Sequence, residues 1–309
     1  MTGTVYKSTG SWYKIKGEDG IFYQGRIRGI HKLKDQLETN PVTVGDQVIY
    51  NYEGHDDQQV IIEKILDRQN HIARQSVQYK KAQQIIAANV TQSILVCSLI
   101  NPQTPLGFID RFLVSCELFH IPAIIVFNKA DLMTSKEEQM YHYYKEMYQS
   151  IGYKVILVSV SQNINMDSLT ELWNHKRSLI SGQSGVGKSS LIKYIIPHLD
   201  LAIKGINSAT GKGNHTTTFS EMFDLPNGGS IIDTPGIKEL GLVNVENLEL
   251  SQYFPEMLKK LSACRFNNCQ HINETDCAVK DAVETGEIYI ERYQNYLLMH
   301  GSIEKHFWK

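Results

Sequence analysis

The run Gly182-Gln183-Ser184-Gly185-Val186-Gly187-Lys188-Ser189 constrains this chain more than any other feature. It has the spacing G-x-x-x-x-G-K-[ST], in which glycines let backbone N–H groups turn inward around phosphate oxygens where a helix begins. Its flanks fit that reading. Ser178-Leu179-Ile180 is a short apolar strand and Ser190-Leu191-Ile192-Lys193-Tyr194-Ile195 the start of a helix. Such a unit belongs in a parallel sheet covered by helices on both faces. The surrounding sequence supplies the partners: apolar stretches at 94–96, 123–127 and 155–158 alternate with helical patterns at 136–149 and 166–176. Ile109, Phe112, Leu113 and Cys116 share one further helical face. Residues 71–245 are therefore expected to form an α/β nucleoside-triphosphate domain.

Residue chemistry assigns roles within it. Lys188 is placed to reach the β- and γ-phosphates, as binding and catalytic group, and the Ser189 hydroxyl to hold Mg²⁺. Asp233-Thr234-Pro235-Gly236 follows the short strand Ser230-Ile231-Ile232, so Asp233 suits the Mg²⁺-linked carboxylate and the Gly236 amide a γ-phosphate contact. Asn128-Lys129-Ala130-Asp131 ends the strand at 123–127. A carboxylate at Asp131 accepts from both N1–H and the exocyclic amine of guanine, whereas adenine would leave it unpaired. Asn128 would brace the loop and Lys129 lie along the base plane; Ser159 sits at a strand end where a backbone N–H is expected to touch guanine O6. The base reader thus precedes the phosphate loop, the reverse of the common GTPase order. The same sheet forms if ancestral termini are joined and the chain is opened elsewhere, so a circularly permuted arrangement is expected.

Between Lys188 and Asp233 lies a polar, glycine-rich stretch, 205–218, ending in His215-Thr216-Thr217-Thr218. One of these threonines, taken as Thr217 among the three, is expected to close over Mg²⁺. The residue after Gly236 is Ile237, whose side chain cannot orient water, so intrinsic hydrolysis should be slow or another group must act. His215 is the nearest candidate.

The flanks differ in rhythm. Residues 1–70 alternate apolar and polar in about five short strands, with Gly17-Glu18-Asp19-Gly20 as a hairpin turn, which fits an all-β OB-fold barrel. Residues 1–34 carry Lys7, Lys14, Lys16, Arg26, Arg28, Lys32 and Lys34 against Glu18 and Asp19, a local excess able to follow a phosphate backbone in a chain of net charge −2. Residues 246–309 are mostly helical in pattern. Within them Cys264, Cys269, His271 and Cys277 supply three thiolates and one imidazole, a structural Zn²⁺ set with no open position. With 42% apolar and 21% charged residues the chain is no disordered tail, and its apolar runs at 94–97 and 121–127 are too short to cross a bilayer. No signal-peptide pattern opens it and its cysteines suit a reducing compartment, so a cytoplasmic protein with no membrane partner is expected.

In the order of these motifs the chain closely resembles the RsgA (YjeQ) family of circularly permuted GTPases. The likeness rests on the barrel first, 128–131 before 182–189, Ser190 after the loop, His215-Thr216-Thr217-Thr218, 233–236 and the Cys₃His set. The resemblance implies GTP and GDP as ligands, and hydrolysis stimulated by the small (30S) ribosomal subunit. It also implies contact of barrel and zinc domain with 16S rRNA, a role in late subunit assembly, and a catalytic histidine at His215. A monomer is expected. Two other readings stay open at this point: a GTP-regulated RNA-binding scaffold with negligible turnover, and a GTPase of large-subunit assembly.

Overall fold

A computed structural model describes residues 1–27, 41–53, 56–75, 83–197, 199, 220–233, 245 and 247–307. Five strands open the chain: β1 (Thr2–Ser8), β2 (Tyr13–Gly17), β3 (Phe22–Ile27), β4 (Gln47–Glu53) and β5 (Asp56–Ile65). They pair in the order β1-β2-β3-β5-β4, and β4 returns to β1, so the sheet closes without an edge. All pairs are antiparallel except β3–β5, which is the OB-fold arrangement. Alternation drives closure: Val5, Tyr13, Ile15, Tyr23, Val48, Tyr50, Val60 and Ile62 point inward and form one core. At the β2–β3 hairpin the Asp19 carboxylate accepts from the Ile21 amide, and Gly20 takes a φ of 80°, a region that favours glycine.

A ribbon of β6 (His71–Gln75) and β7 (Gln83–Ala88) leads into the central sheet and touches the barrel through a Val44–Ala87 bridge. The central strands are β8 (Gln92–Ser98), β9 (Ala123–Asn128), β10 (Lys154–Leu157), β11 (Arg177–Ser181), β12 (Glu221–Asp224) and β13 (Ser230–Asp233). They lie in the order β10-β9-β8-β11-β13-β12, parallel except for β12–β13. Strand β8 is buried along its whole length. Leu95 and Cys97 face α1 (Leu106–Leu118) and α2 (Ser135–Ile151), while Ile94 and Val96 face α3 (Met166–Glu171) and α4 (Lys188–Ile195). Burial on both faces is why these strands read as uninterrupted apolar runs. The helix expected over 166–176 is shorter. After Glu171 the chain continues in i→i+3 turns that bring Trp173 into the core.

Barrel and central sheet are hydrogen-bonded into a single eleven-stranded sheet, because β12 pairs with β1 at Lys7 and Glu221. Ion pairs reinforce the joint: Lys7 to Glu221 at 2.7 Å and Lys16 to Asp224 at 2.6 Å, with the Tyr6 hydroxyl donating to Asp224.

The C-terminal piece comprises a 3₁₀ turn (Leu250–Tyr253), α5 (Pro255–Leu261), α6 (Ala278–Glu284) and α7 (Ile290–Phe307). Its core takes in Val114 of α1. Beside it, Arg292 of α7 is wholly buried and bonds Asp110 of α1 and Glu256 of α5, each at 2.7 Å. Asp110 also accepts from Tyr148 and Asn295, at 2.8 and 2.6 Å. Burial pushes the Asp110 carboxyl upward, and Arg292, Tyr148 and Asn295 act against that rise. Among the described residues, no helix is long and apolar enough to cross a membrane.

Candidate functional site

The carboxyl ends of β8, β9, β11 and β13 gather the chemistry at one edge of the central sheet, where open α/β sheets bind ligands. Leaving β11, the chain turns at Gly182 with φ 146°, and a Cβ there would lie 2.3 Å from the Val96 carbonyl oxygen. Val186 is fully buried and anchors the loop in the core. Gln183, Ser184 and Gly185 are left at its rim, and Ser189 and Ser190 lie exposed on the first turn of α4. The Lys188 ammonium crosses the loop and donates to the carbonyls of Gly182 and Gln183, at 2.5 and 2.7 Å. Incoming phosphate oxygens would compete for that ammonium, whose charge suits them better than two neutral carbonyls. Asp233 closes β13 and is in register with Ile180, two residues before the loop. Gly236, His215 and Thr217, with the rest of 200–219 and 234–244, lie outside the described residues.

The base reader meets the phosphate loop directly. Asn128, almost fully buried at the end of β9, donates from Nδ2 to the Val186 carbonyl at 3.0 Å, while its Oδ1 has no partner. Gly187, with φ 99°, is held so close that a Cβ would lie 2.2 Å from Asn128 Nδ2. The next residue, Lys129, adopts φ 68° and sends its ammonium to the Asn101 carbonyl. Asp131 sits in a single 3₁₀ turn, tied down by the Ala130 amide bonding Val158. The Ser159 hydroxyl donates to Asp131 at 2.5 Å, and with Ser161 it holds that carboxyl below its ordinary range. The Ser159 amide donates to the Ile164 carbonyl at 3.2 Å. Ser159 therefore fixes the Asp131 carboxylate.

The turn between β8 and α1 was absent from the sequence expectations. Pro102 rests on Gly185, and the turn is closed by Thr104, which accepts from the Ser98 amide and donates its own amide back to Ser98. The Asn-Pro dipeptide was its signal.

Near the C-terminus the ligand atoms of Cys264, Cys269, His271 and Cys277 all lie within 4.8 Å of one another. A tetrahedron with Zn–S of about 2.3 Å and Zn–N of about 2.0 Å has S···S edges near 3.8 Å and N···S edges near 3.5 Å. The protein has Cys269–Cys277 at 3.7 Å, His271 Nδ1 to Cys264 at 3.7 Å and to Cys277 at 3.3 Å. The residues therefore fit zinc, with Nδ1 as the imidazole ligand. Burial lowers the His271 pKa and keeps the ring neutral, and it pushes the Cys269 thiol up to about 12, a cost that a divalent cation offsets. The loop is fastened from α7: Tyr293 donates to the His271 carbonyl and Tyr296 to that of Gln270, at 2.6 and 2.5 Å. Cys97 and Cys116 are buried core residues remote from this set.

On the barrel, a groove of about 300 Å³ is lined by Lys7, Thr9, Trp12, Lys14, Gln24 and Glu221. Trp12 and Phe22 are exposed beside it, and the Lys14 ammonium lies 4.5 Å from the Phe22 ring centre. The basic excess counted in the sequence is partly spent internally. Lys7, Lys16 and Arg26 are ion-paired, so Lys14 is the unpaired one of these four among the described residues. Arg28, Lys32 and Lys34 lie outside them.

Comparison with known proteins decides the family. Residues 65–243 match the RsgA GTPase family and residues 2–61 the RsgA N-terminal domain. The chain belongs to the RsgA GTPase family. Relatives named "Small ribosomal subunit biogenesis GTPase RsgA" are 46% identical in Christiangramia forsetii, over 96% of this chain and 95% of the relative, and 48% identical in Cytophaga hutchinsonii, over 96% of each. Among solved structures, YjeQ from Thermotoga maritima superposes with a TM-score of 0.79 at 31% identity, covering 98% of each chain. YloQ, described as a circularly permuted GTPase, superposes with a TM-score of 0.75 over 98% of this chain and 95% of its own, also at 31% identity. The strand order agrees: in this RsgA-family chain the base reader ends β9, and the phosphate loop follows the later strand β11.

Proposed function

We propose that this chain hydrolyses GTP to GDP as a late assembly factor of the small ribosomal subunit, binding 16S rRNA and accelerated by the subunit itself. The observation that carries this reading is the Asn128–Val186 bond, which joins a guanine-reading loop to a phosphate loop in one site. The relatives' names supply the small subunit. Residues 182–190 would cradle the phosphates, Asn128, Lys129 and Asp131 hold the base, and Ser159 fix Asp131. Ser189 and Asp233, with Thr217, would hold Mg²⁺, which supplies charge neutralisation on the phosphates when bound. Lys188 would stabilise charge on the transferring group, the Gly236 amide contact the γ-phosphate, and His215 orient water in place of the apolar Ile237.

In this reading residues 1–70 form an rRNA-binding OB domain, whose groove beside Trp12 and Lys14 combines a stacking surface with positive charge. Residues 71–245 are the permuted GTPase, and 246–309 a zinc-bearing domain that also meets rRNA. The protein works in the cytoplasm as a monomer.

The test is steady-state GTP turnover by purified protein with and without purified small subunits. Strong stimulation is expected. Tight GTP binding without stimulated turnover would overturn the hydrolytic reading in favour of a nucleotide-tuned RNA scaffold, the alternative that Ile237 favours. Co-sedimentation with large rather than small subunits would overturn the choice of partner.

A further inference from the structure

Residues 99–105, between β8 and α1, touch both halves of the nucleotide site. The Asn101 carbonyl accepts the Lys129 ammonium from the base-reading side. Pro102 covers Gly185 of the phosphate loop so closely that a Cβ on Gly185 would lie 3.2 Å from Pro102 Cδ. The turn is rigidly built. Thr104 is 1% exposed and its hydroxyl accepts from the Ser98 amide at 3.0 Å; its own amide donates to the Ser98 carbonyl at 2.7 Å. The Ser98 hydroxyl in turn donates to the Ile100 carbonyl at 2.6 Å. Its far end is equally fixed, because α1 starts directly after Pro105 and carries Asp110, the partner of Arg292.

We propose that this turn is a positioning element of the guanine-nucleotide site: Asn101 and Pro102 set the placement of Lys129 relative to the phosphate loop and thereby the lifetime of bound nucleotide. An unanchored lysine has several rotatable bonds to order when the nucleotide arrives, whereas Asn101 holds its ammonium at the far end beforehand. Pro102 restricts the turn's backbone in the same sense, and glycine there would return that freedom. The inference rests on the assignment of Lys129 and 182–190 to the nucleotide.

Three variants test it, with fluorescent GDP as the probe. Pro102 is exposed, so Pro102→Gly should lower the melting temperature without nucleotide by only about 2–5 °C, the cost of the lost backbone restraint. GDP should then dissociate about five- to tenfold faster, and KM for GTP should rise more than kcat falls. Thr104→Val, which deletes the acceptor of the Ser98 amide, should act in the same direction, and Thr104→Ser should restore wild-type dissociation. In a Lys129→Met background Pro102→Gly should add less than about half of its own effect on a logarithmic scale, because the two residues then act through one contact. Unchanged GDP dissociation in Pro102→Gly, or full additivity with Lys129→Met, would overturn the proposal. Asp131→Asn separates this from failure of the underlying reading. If Asp131→Asn leaves GDP binding intact, the base-reading assignment falls and the turn's role with it. If Asp131→Asn abolishes binding while Pro102→Gly changes nothing, the turn's role alone is refuted.

Discussion

Replacing Arg292 by methionine removes a guanidinium from the centre of a buried cluster while keeping the unbranched stem that packs there. The side chains of Arg292 and Asp110 are 0% and 1% exposed, and that of Glu256 10%. In the variant, Asp110 keeps its hydrogen bonds from Tyr148 and Asn295 but loses its counter-charge, and Glu256 loses the partner it held at two points. Breaking a buried pair from one side costs about 3–5 kcal/mol, because a charge is left in a medium that cannot solvate it. The stacking of the guanidinium on Phe254, 4.6 Å from its ring centre, is lost as well. The expected loss is therefore about 4 kcal/mol, or a fall of roughly 10 °C in the midpoint of the unit holding α1 and α7. Urea unfolding followed by far-ultraviolet circular dichroism measures it. Lys7→Ala serves as the control: it breaks an ion pair whose side chains are 38% and 24% exposed, and should cost less than about 1 kcal/mol. The triple variant Arg292→Met, Asp110→Leu, Glu256→Met should recover about half or more of the loss, since no charge is then stranded. A cost below about 1 kcal/mol for Arg292→Met, or a triple variant as unstable as the single one, would refute the stranded-charge argument.

Three further outcomes are expected. Gly187→Ala should weaken GDP binding roughly a hundredfold, because φ 99° and a Cβ 2.2 Å from Asn128 Nδ2 displace the loop from the base reader; isothermal titration measures it. The hydrogen bond from Ser159 keeps the Asp131 carboxyl below its ordinary range, so the carboxylate stays ionised at neutral pH and its contribution is lost only as pH falls through that lowered value. Ser159→Ala removes that hydrogen bond, so the acid-side loss of GDP affinity should begin at a higher pH in the variant than in the wild type, and superimposable profiles would contradict the Ser159–Asp131 geometry. Zinc uptake must displace protons from Cys269, at about 12, and from the raised Cys277, so zinc affinity should fall as pH is lowered, and a strong chelator should unfold the segment around α6; metal-release titration and helical content check both.

Features whose parts adjoin in sequence were the readable ones. The phosphate loop, the base reader and the Cys₃His set each fall within a short stretch, so spacing alone carries their chemistry. The barrel was legible through alternation, because a closed sheet fixes which side of every strand is buried. What sequence could not show depended on partners far along the chain. Lys7 and Lys16 counted as free positive charge, yet Glu221 and Asp224, more than two hundred residues later, neutralise them. Nothing in the sequence marks Arg292, because its partner Asp110 lies 182 residues earlier. At 159–164 the chain doubles back, so that the Ser159 amide bonds Ile164 and its hydroxyl Asp131, a pairing that the sequence did not signal.

The place of β11 in the sheet has a consequence for how the chain is made. Of the central sheet, synthesis delivers β8, β9 and β10 first, a three-stranded fragment whose β8 edge stays bare until residues 177–181 emerge and slot in between β8 and the later β13. The joint between barrel and central sheet waits longer still, since Lys7 of β1 and Glu221 of β12 are 214 positions apart in the chain. Such pairings have high contact order, and they leave unpaired strand edges open to wrong partners in the interval. The two halves of the nucleotide site are joined only once β11 is seated, because Asn128 must find Val186. Guanine nucleotide therefore lacks a joined site on any fragment that precedes β11, and it stabilises only states in which that strand is seated.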